Sequence, residues 1–100
     1  MKRGRNHNKL EKEIAESRKA IDIAEQALNN GQRVNLEPLY KPLYDSWRNQ
    51  EAELPIMFDV VSYVIGVEEH LNQTAKIDVD YLAEEVEDLR AELDDLEKAA

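Results

Sequence analysis

The chain has no cysteine, and among its 100 residues it has only three glycines and three prolines. Without cysteine, disulfide bonds and thiolate zinc sites are excluded, and the composition is typical of a reducing compartment. So few glycines and prolines leave few places for the chain to break. Long helices are therefore favoured over a sheet of many strands.

Long hydrophobic runs are also missing. The most apolar stretch, residues 56–67, is about 12 residues long and contains Asp59 and Ser62, so it is too short and too polar to span a bilayer. The basic start of the chain, Met1 to Arg5, is not followed by the apolar stretch of a secretory signal. We expect a cytoplasmic protein with no membrane association.

Charge is distributed unevenly. The net charge is −9; residues 1–50 hold ten Lys and Arg against seven Asp and Glu, and residues 51–100 hold three against fifteen. The acidic excess disfavours nucleic acid as a partner. We interpret residues 1–8 as a flexible basic arm and residues 9–100 as a single helical domain.

Two hydrophobic seams, one at each end of the chain, alternate steps of three and four residues, as on one side of a helix. The N-terminal seam comprises Leu10, Ile14, Ser17, Ile21, Ala24 and Leu28. The C-terminal seam comprises Val79, Leu82, Val86, Leu89, Leu93 and Leu96. Because the first helix is basic at its start and the last is acidic, their charges favour antiparallel pairing.

Local signals predict where the helices begin and end. Asn8 is a suitable N-cap for the first helix, and Gly31 suits the left-handed position that ends it. Because proline disrupts a helix interior, Pro42 predicts a break between a turn at 36–40 and a helix over 42–53. Asp78 is a suitable N-cap for the last helix.

Residues 55–73 are rich in residues that favour strands. Their polar positions nevertheless recur at helical steps of three and four: Asp59, Ser62, Gly66, Glu69 and Gln73. This polar stripe predicts a largely buried helix, with a strand over 56–67 as the alternative. The predicted fold is all-α, a small bundle of about four helices with two long terminal helices packed around a buried central helix.

The C-terminal seam allows three interpretations. It could be the core face of a bundle helix, a parallel homodimeric coiled coil, or a docking surface for another protein. β-branched residues alternating with leucine favour the parallel dimer. Its flanking charges are mixed, because Glu85 would face Arg90 of the other chain but Glu92 would face Glu97.

Aromatic residues concentrate in the middle of the chain. Tyr40, Tyr44 and Trp47 form a possible contact patch, and Phe58 and Tyr63 follow nearby. Such residues are frequent in interface hot spots, and they also fill the cores of small proteins.

Catalytic and metal-binding patterns are not found. The chain has two histidines and no glycine-rich phosphate loop, and His70 lacks the Glu-x-x-His spacing of di-iron bundles. We therefore expect a non-enzymatic protein without a cofactor or a metal.

The sequence predicts a helical protein–protein interaction or oligomerisation module, an adaptor or accessory protein that forms a dimer and binds a protein partner. The alternative is a small acidic inhibitor of a nucleic-acid-handling protein, of the anti-restriction or anti-CRISPR type. In that alternative Glu84, Glu87, Asp88 and Asp95 would imitate phosphates.

Overall fold

Four helices make up the computed structural model, which describes the backbone of residues 2–99 and the side chains of residues 8–99. They are α1 (Lys2–Asn30), α2 (Glu37–Arg48), α3 (Met57–Asn72) and α4 (Val79–Ala99), and the described residues contain no strand. The predicted all-α bundle is confirmed, and residues 56–67 are helical from Met57 onward. α3 is central, because it contacts each of the other three helices and half of its 16 residues are buried.

The core is built from one side of each helix. On α3, the closed face comprises Met57, Val60, Val64, Val67 and Leu71, all of them buried. These residues repeat at steps of three and four, so one side of α3 enters the core along its whole length. The N-terminal seam lies in this core as well, with Ile14, Ser17, Ile21 and Ala24 buried.

α1 and α4 are antiparallel, as their charges predict. The Arg18 guanidinium is 2.7 Å from an Asp94 oxygen and 2.9 Å from a Glu97 oxygen. One helix turn further along α1, and one turn back along α4, Arg90 lies 2.9 Å from Asp22 and pairs with Glu25 as well. The order of these ion pairs along the two helices fixes the antiparallel direction.

Two predicted helix ends are confirmed. α1 stops at Asn30, and Gly31 follows with a φ of +71°, a conformation that glycine adopts without strain. At the start of α4, the Asp78 side chain accepts a hydrogen bond of 2.9 Å from the Asp80 backbone N–H. Gly31 and Asp78 are both local sequence signals, and each lies at a helix end in the structure.

The predicted start of α1 is wrong. The helix already begins at Lys2, so Asn8 lies inside it and cannot be its N-cap. Part of the predicted flexible basic arm, residues 1–8, lies outside the described residues: all of Met1 and the side chains of residues 2–7.

The predicted break at Pro42 is also wrong, because α2 continues through it and ends at Arg48. The helix begins at Glu37, so the hydrogen bond that Pro42 cannot donate would have gone to the carbonyl of Pro38 in the first turn. Only one internal bond is lost, and it is lost at an exposed position. The packing of Leu43 into the core favours the continuous helix.

Each of the three loops is held by a side chain of a neighbouring helix. Glu13 of α1 accepts hydrogen bonds from the backbone N–H groups of Glu53 and Leu54 at 2.8 and 2.9 Å. His70 bonds the carbonyl of Ile77 through Nδ1, at 3.2 Å, and must therefore carry its proton there.

The loop between α1 and α2 is held from α3. Asn72 accepts a hydrogen bond from the N–H of Val34 and donates one to its carbonyl, while Glu68 accepts from the N–H of Leu36 at 2.6 Å. These side chains satisfy backbone groups that would otherwise be costly to bury.

Candidate interaction surface

The C-terminal seam lies inside the chain. Leu82, Val86, Leu89 and Leu93 are at most 5% exposed, Leu96 is half-buried, and Val79 is 44% exposed. Of the three interpretations, the structure shows the core face of a bundle helix, so most of the seam is not accessible to a second chain. Arg90, expected opposite Glu85 of another copy, pairs within its own chain instead.

A groove of about 470 Å³ opens on the opposite side of α3 from the closed face. Its floor is the open face of α3, which comprises Phe58, Ser62, Ile65 and Glu69. Tyr44 of α2 lines one side, and Tyr81 of α4 lines the other. We call this feature the aromatic groove.

The groove exists because α2 and α4 both pack on α3 but, within the described residues, do not contact each other. α3 therefore lacks a helical neighbour along its open face. At the α4 side, Gly66 permits close approach, since a Cβ at this position would lie 3.2 Å from a methyl group of Leu82.

Large aromatic side chains are exposed along the groove. Trp47 is 41% exposed, Phe58 45% and Tyr81 58%. The rings of Trp47 and Phe58 are 4.7 Å apart, and those of Trp47 and Tyr44 are 5.9 Å apart, distances typical of favourable aromatic pairs. Trp47 thus extends the apolar surface from α3 onto α2.

The three residues of the predicted aromatic patch do not all lie together. Tyr44 and Trp47 lie together at the groove, whereas Tyr40 is half-buried and donates a hydrogen bond of 3.5 Å to Glu68. Burial, together with the charge of Glu68, raises the pKa of Tyr40. Trp47 is exposed and therefore does not fill the core.

Two groove residues were missed by the sequence analysis. Phe58 was counted only with the aromatic cluster, and Tyr81, outside the seam, was not considered. The available signal was the steps of four, three and four from Phe58 to Glu69, which run beside the predicted polar stripe. Phe58 and Ile65 are apolar and Ser62 and Glu69 are polar, so these steps mark a helix face that is half apolar and half polar.

Acidic side chains surround the groove. Glu69, Asp78 and Glu85 line it, Asp59 lies close enough to act on Glu85, and Lys76 is the basic residue in the lining. Burial, followed by the charge of Asp59, raises the pKa of Glu85. The surface therefore combines exposed aromatic rings with a negative rim.

A separate acidic face lies on the outside of α4. Glu84, Glu87, Asp88 and Asp95 are all exposed, and none of them has an ion-pair partner among the described residues. By contrast, Asp94 and Glu97 are paired with Arg18. The four residues proposed as phosphate imitators are thus free to contact another molecule.

Among the described residues, no group of three or more potential ligand side chains is placed to hold a metal ion. None of the described helices combines the length and the apolar character needed to cross a membrane. Comparison with protein-family models, curated proteins and solved structures finds no match to this chain.

Proposed function

We propose that the protein is a non-enzymatic interaction module, an adaptor or accessory protein, that binds a protein partner in the aromatic groove. The observation that carries the proposal is the group of exposed rings at the aromatic groove, Trp47, Phe58 and Tyr81. Tryptophan and tyrosine dominate the energetics of many protein interfaces.

Exposed apolar rings have a cost in water that a partner would remove. Trp47, Phe58 and Tyr81 are each exposed by about two fifths or more. Burying this surface would contribute roughly 25 cal/mol for each Å² of apolar area removed from water. Since the rings of Trp47 and Phe58 already contact each other, these two side chains would lose little freedom on binding.

The homodimer predicted from the sequence stays a prediction, with a different interface. It rested on the need to cover α3 and on the C-terminal seam, and in the structure α1, α2 and α4 of the same chain meet most of that need. A second copy would have to use the aromatic groove. The cytoplasmic location likewise stays a prediction.

The test is capture of partners from the native host with three forms of the protein: the natural chain, Phe58→Ser, and Ile23→Ser as the matched control. Ile23 is 37% exposed and lies on α1, outside the groove lining. We expect the captured partner to be lost with Phe58→Ser and kept with Ile23→Ser. Equal capture by all three forms would contradict the proposal.

Light scattering on a size-exclusion column identifies a second copy as the partner. A dimer that dissociates with Phe58→Ser but persists with Ile23→Ser would show that the groove binds another copy. A monomer in all three forms contradicts the predicted homodimer and leaves a different protein as the partner.

The second candidate, an acidic inhibitor of a nucleic-acid-handling protein, is favoured by the four exposed, unpaired carboxylates of the α4 acidic face. Reversing the charge of Glu84, Glu87, Asp88 and Asp95 should abolish inhibition or partner binding in this case. If these reversals leave partner binding unchanged, imitation of nucleic acid is wrong.

A further inference from the structure

We propose that the occupant of the aromatic groove is a basic amphipathic α-helix of a protein partner, an inference that rests on the proposed function. The geometry points to a helix, and the charge of the rim points to lysine and arginine beside its apolar face.

The floor and both sides of the groove are helical, which selects the mode of binding. A peptide that binds by strand addition needs the edge of a sheet, and the described residues contain no strand to offer such an edge. A helix can instead place side chains between those of α2, α3 and α4, as helices do when ridges pack into grooves. The bound helix would then pack on the open face of α3, which has no helical neighbour among the described residues.

The length of the floor sets the length of the occupant. Phe58 and Glu69 lie at the two ends of the open face, and at 1.5 Å per residue they are roughly 16 Å apart along α3. A helix of about three turns covers this distance. Its apolar side chains would repeat at steps of three and four and contact Trp47, Phe58 and Tyr81.

Charge selects the flanks of the occupant. Asp59 and Glu69 belong to α3, while Asp78 and Glu85 border the α4 side, so negative charge lies on both elements. Lys76 alone opposes them within the lining. An acidic or phosphorylated segment would be repelled, whereas lysine or arginine beside the apolar side chains would meet unpaired carboxylates.

Glu85 gives a more specific reason to expect lysine or arginine in the bound helix. It is half-buried, and among the described residues it has acidic neighbours, Asp59, Asp88 and Glu92, but no ion-pair partner. A partly buried carboxylate that lacks a cation is unfavourable, and a bound lysine or arginine would relieve it. We therefore expect Glu85 to contribute more to binding than a fully exposed carboxylate elsewhere on α4.

The test uses two synthetic peptides of 15 residues, acetylated and amidated, with leucine at the apolar positions of one helix face. One carries lysine at the remaining positions, and the other carries glutamate. Binding is followed through Trp47, the single tryptophan of the chain, whose ring lies against Phe58. Occupation of the groove should shift its emission to shorter wavelengths.

We expect the lysine peptide to bind with a Kd at least about tenfold lower than the glutamate peptide. Phe58→Ser or Tyr81→Ser should each weaken it about tenfold, as hot-spot truncations do. Both side chains are substantially exposed, so circular dichroism should show that the variants keep their helices.

Matched charge variants separate the groove from general attraction to an acidic chain. Asp59→Asn with Glu85→Gln removes two negative charges at the rim, and Glu87→Gln with Asp95→Asn removes two from the outer face of α4. The rim pair should weaken the lysine peptide about fivefold, and the outer pair less than twofold, because screening limits distant charges. Equal effects would show unspecific attraction and overturn the inference.

The remaining outcomes distinguish the two proposals. If both peptides bind alike and both are lost with Phe58→Ser, the groove binds helices without a preference for basic ones, so this inference fails while the proposed function stands. If Phe58→Ser and Tyr81→Ser leave the binding of the lysine peptide unchanged, the groove is not its site, and the inference fails together with that support for the function.

Discussion

The two faces of α3 differ in what covers them. The five residues of the closed face are each at most 8% exposed. On the open face, Phe58 is 45% exposed and Ser62 is exposed too. Both faces belong to one helix and follow the same spacing, but they lie on opposite sides of it. Helix formation therefore does not decide which face is buried; the position of the neighbouring helices does.

The difference also appears in the residue types. The closed face carries Val60, Val64 and Val67, stiff side chains that fix a core. The open face alternates a large ring or aliphatic chain with polar groups, which suits a surface that contacts water in one state and protein in another. One side of α3 packs in the core, and the other side is the surface to which we propose that a partner binds.

The largest expected effect comes from placing a charge on each face. Val64→Asp would bury a carboxylate where the side chain is 0% exposed, and should lower the free energy of unfolding by about 4 kcal/mol or more. Ser62→Asp, on the open face of the same helix, should lower it by less than about 1 kcal/mol. Urea denaturation followed by circular dichroism measures both, and equal losses would contradict the distinction between the faces.

The next effect concerns the loop that leads into α3. Glu13→Ala leaves the N–H groups of Glu53 and Leu54 without their acceptor and should cost about 2 to 3 kcal/mol. Glu16→Ala, at an exposed position one turn away, is the control and should cost less than about 0.5 kcal/mol. A loss similar to that of the control would show that Glu13 does not hold the loop.

A pH-dependent effect follows from Tyr63, whose side chain is 2% exposed and whose hydroxyl has no hydrogen-bond partner among the described residues. Burial raises its pKa from 10.0 to about 12. Since the unfolded chain loses this proton at lower pH than the folded chain, stability is intact below pH 10 and falls between pH 10 and 12, by about 2 kcal/mol.

Tyr63→Phe tests this assignment by denaturation at a series of pH values. The variant should remove most of the decline above pH 10 and be at least as stable as the natural chain at pH 7, because no hydrogen bond is lost. An unchanged decline would assign the effect to other tyrosines, of which Tyr40 also has a raised pKa.

The smallest expected effect is at the α1–α4 contact, which closes the core from the side. Arg90→Ala removes ion pairs with Asp22 and Glu25 that are partly exposed to solvent, and should cost about 1 kcal/mol or less. Added salt should reduce the difference between the variant and the natural chain. A loss of several kcal/mol would mean that these charges, and not apolar burial, hold the two helices together.

Several features that depend on neighbouring residues were predictable from the sequence, although the Asn8 cap was not one of them. The left-handed Gly31, the Asp78 cap and the helical polar stripe of α3 were all confirmed, because each depends on hydrogen bonding or periodicity within a few residues. The antiparallel pairing of α1 with α4 was predictable as well, since α1 is basic at its start and α4 is acidic.

Features that depend on distant residues were not predictable. An apolar seam on α4 looks the same whether α1 or another chain covers it, and the packing of α1 and α3 against Leu82 and Leu93 decided this. The exposure of Trp47 depends on the gap between α2 and α4, which no local pattern records. Pro42 shows the same limit, because the burial of Leu43, which favours the continuous helix, depends on residues that are distant in the sequence.

The hydrogen bonds from helix side chains to loop backbones have a consequence for hydrogen exchange. The amides of Val34, Leu36, Glu53 and Leu54 lie outside the helices, yet each donates to a carboxylate or amide oxygen of α1 or α3. Their protons should exchange with solvent slowly, at rates closer to those of the helices than to those of free loops. The loops before and after α2 would then hold this helix in a fixed position. Since α2 forms one side of the aromatic groove, the width of the groove would be set before any partner binds.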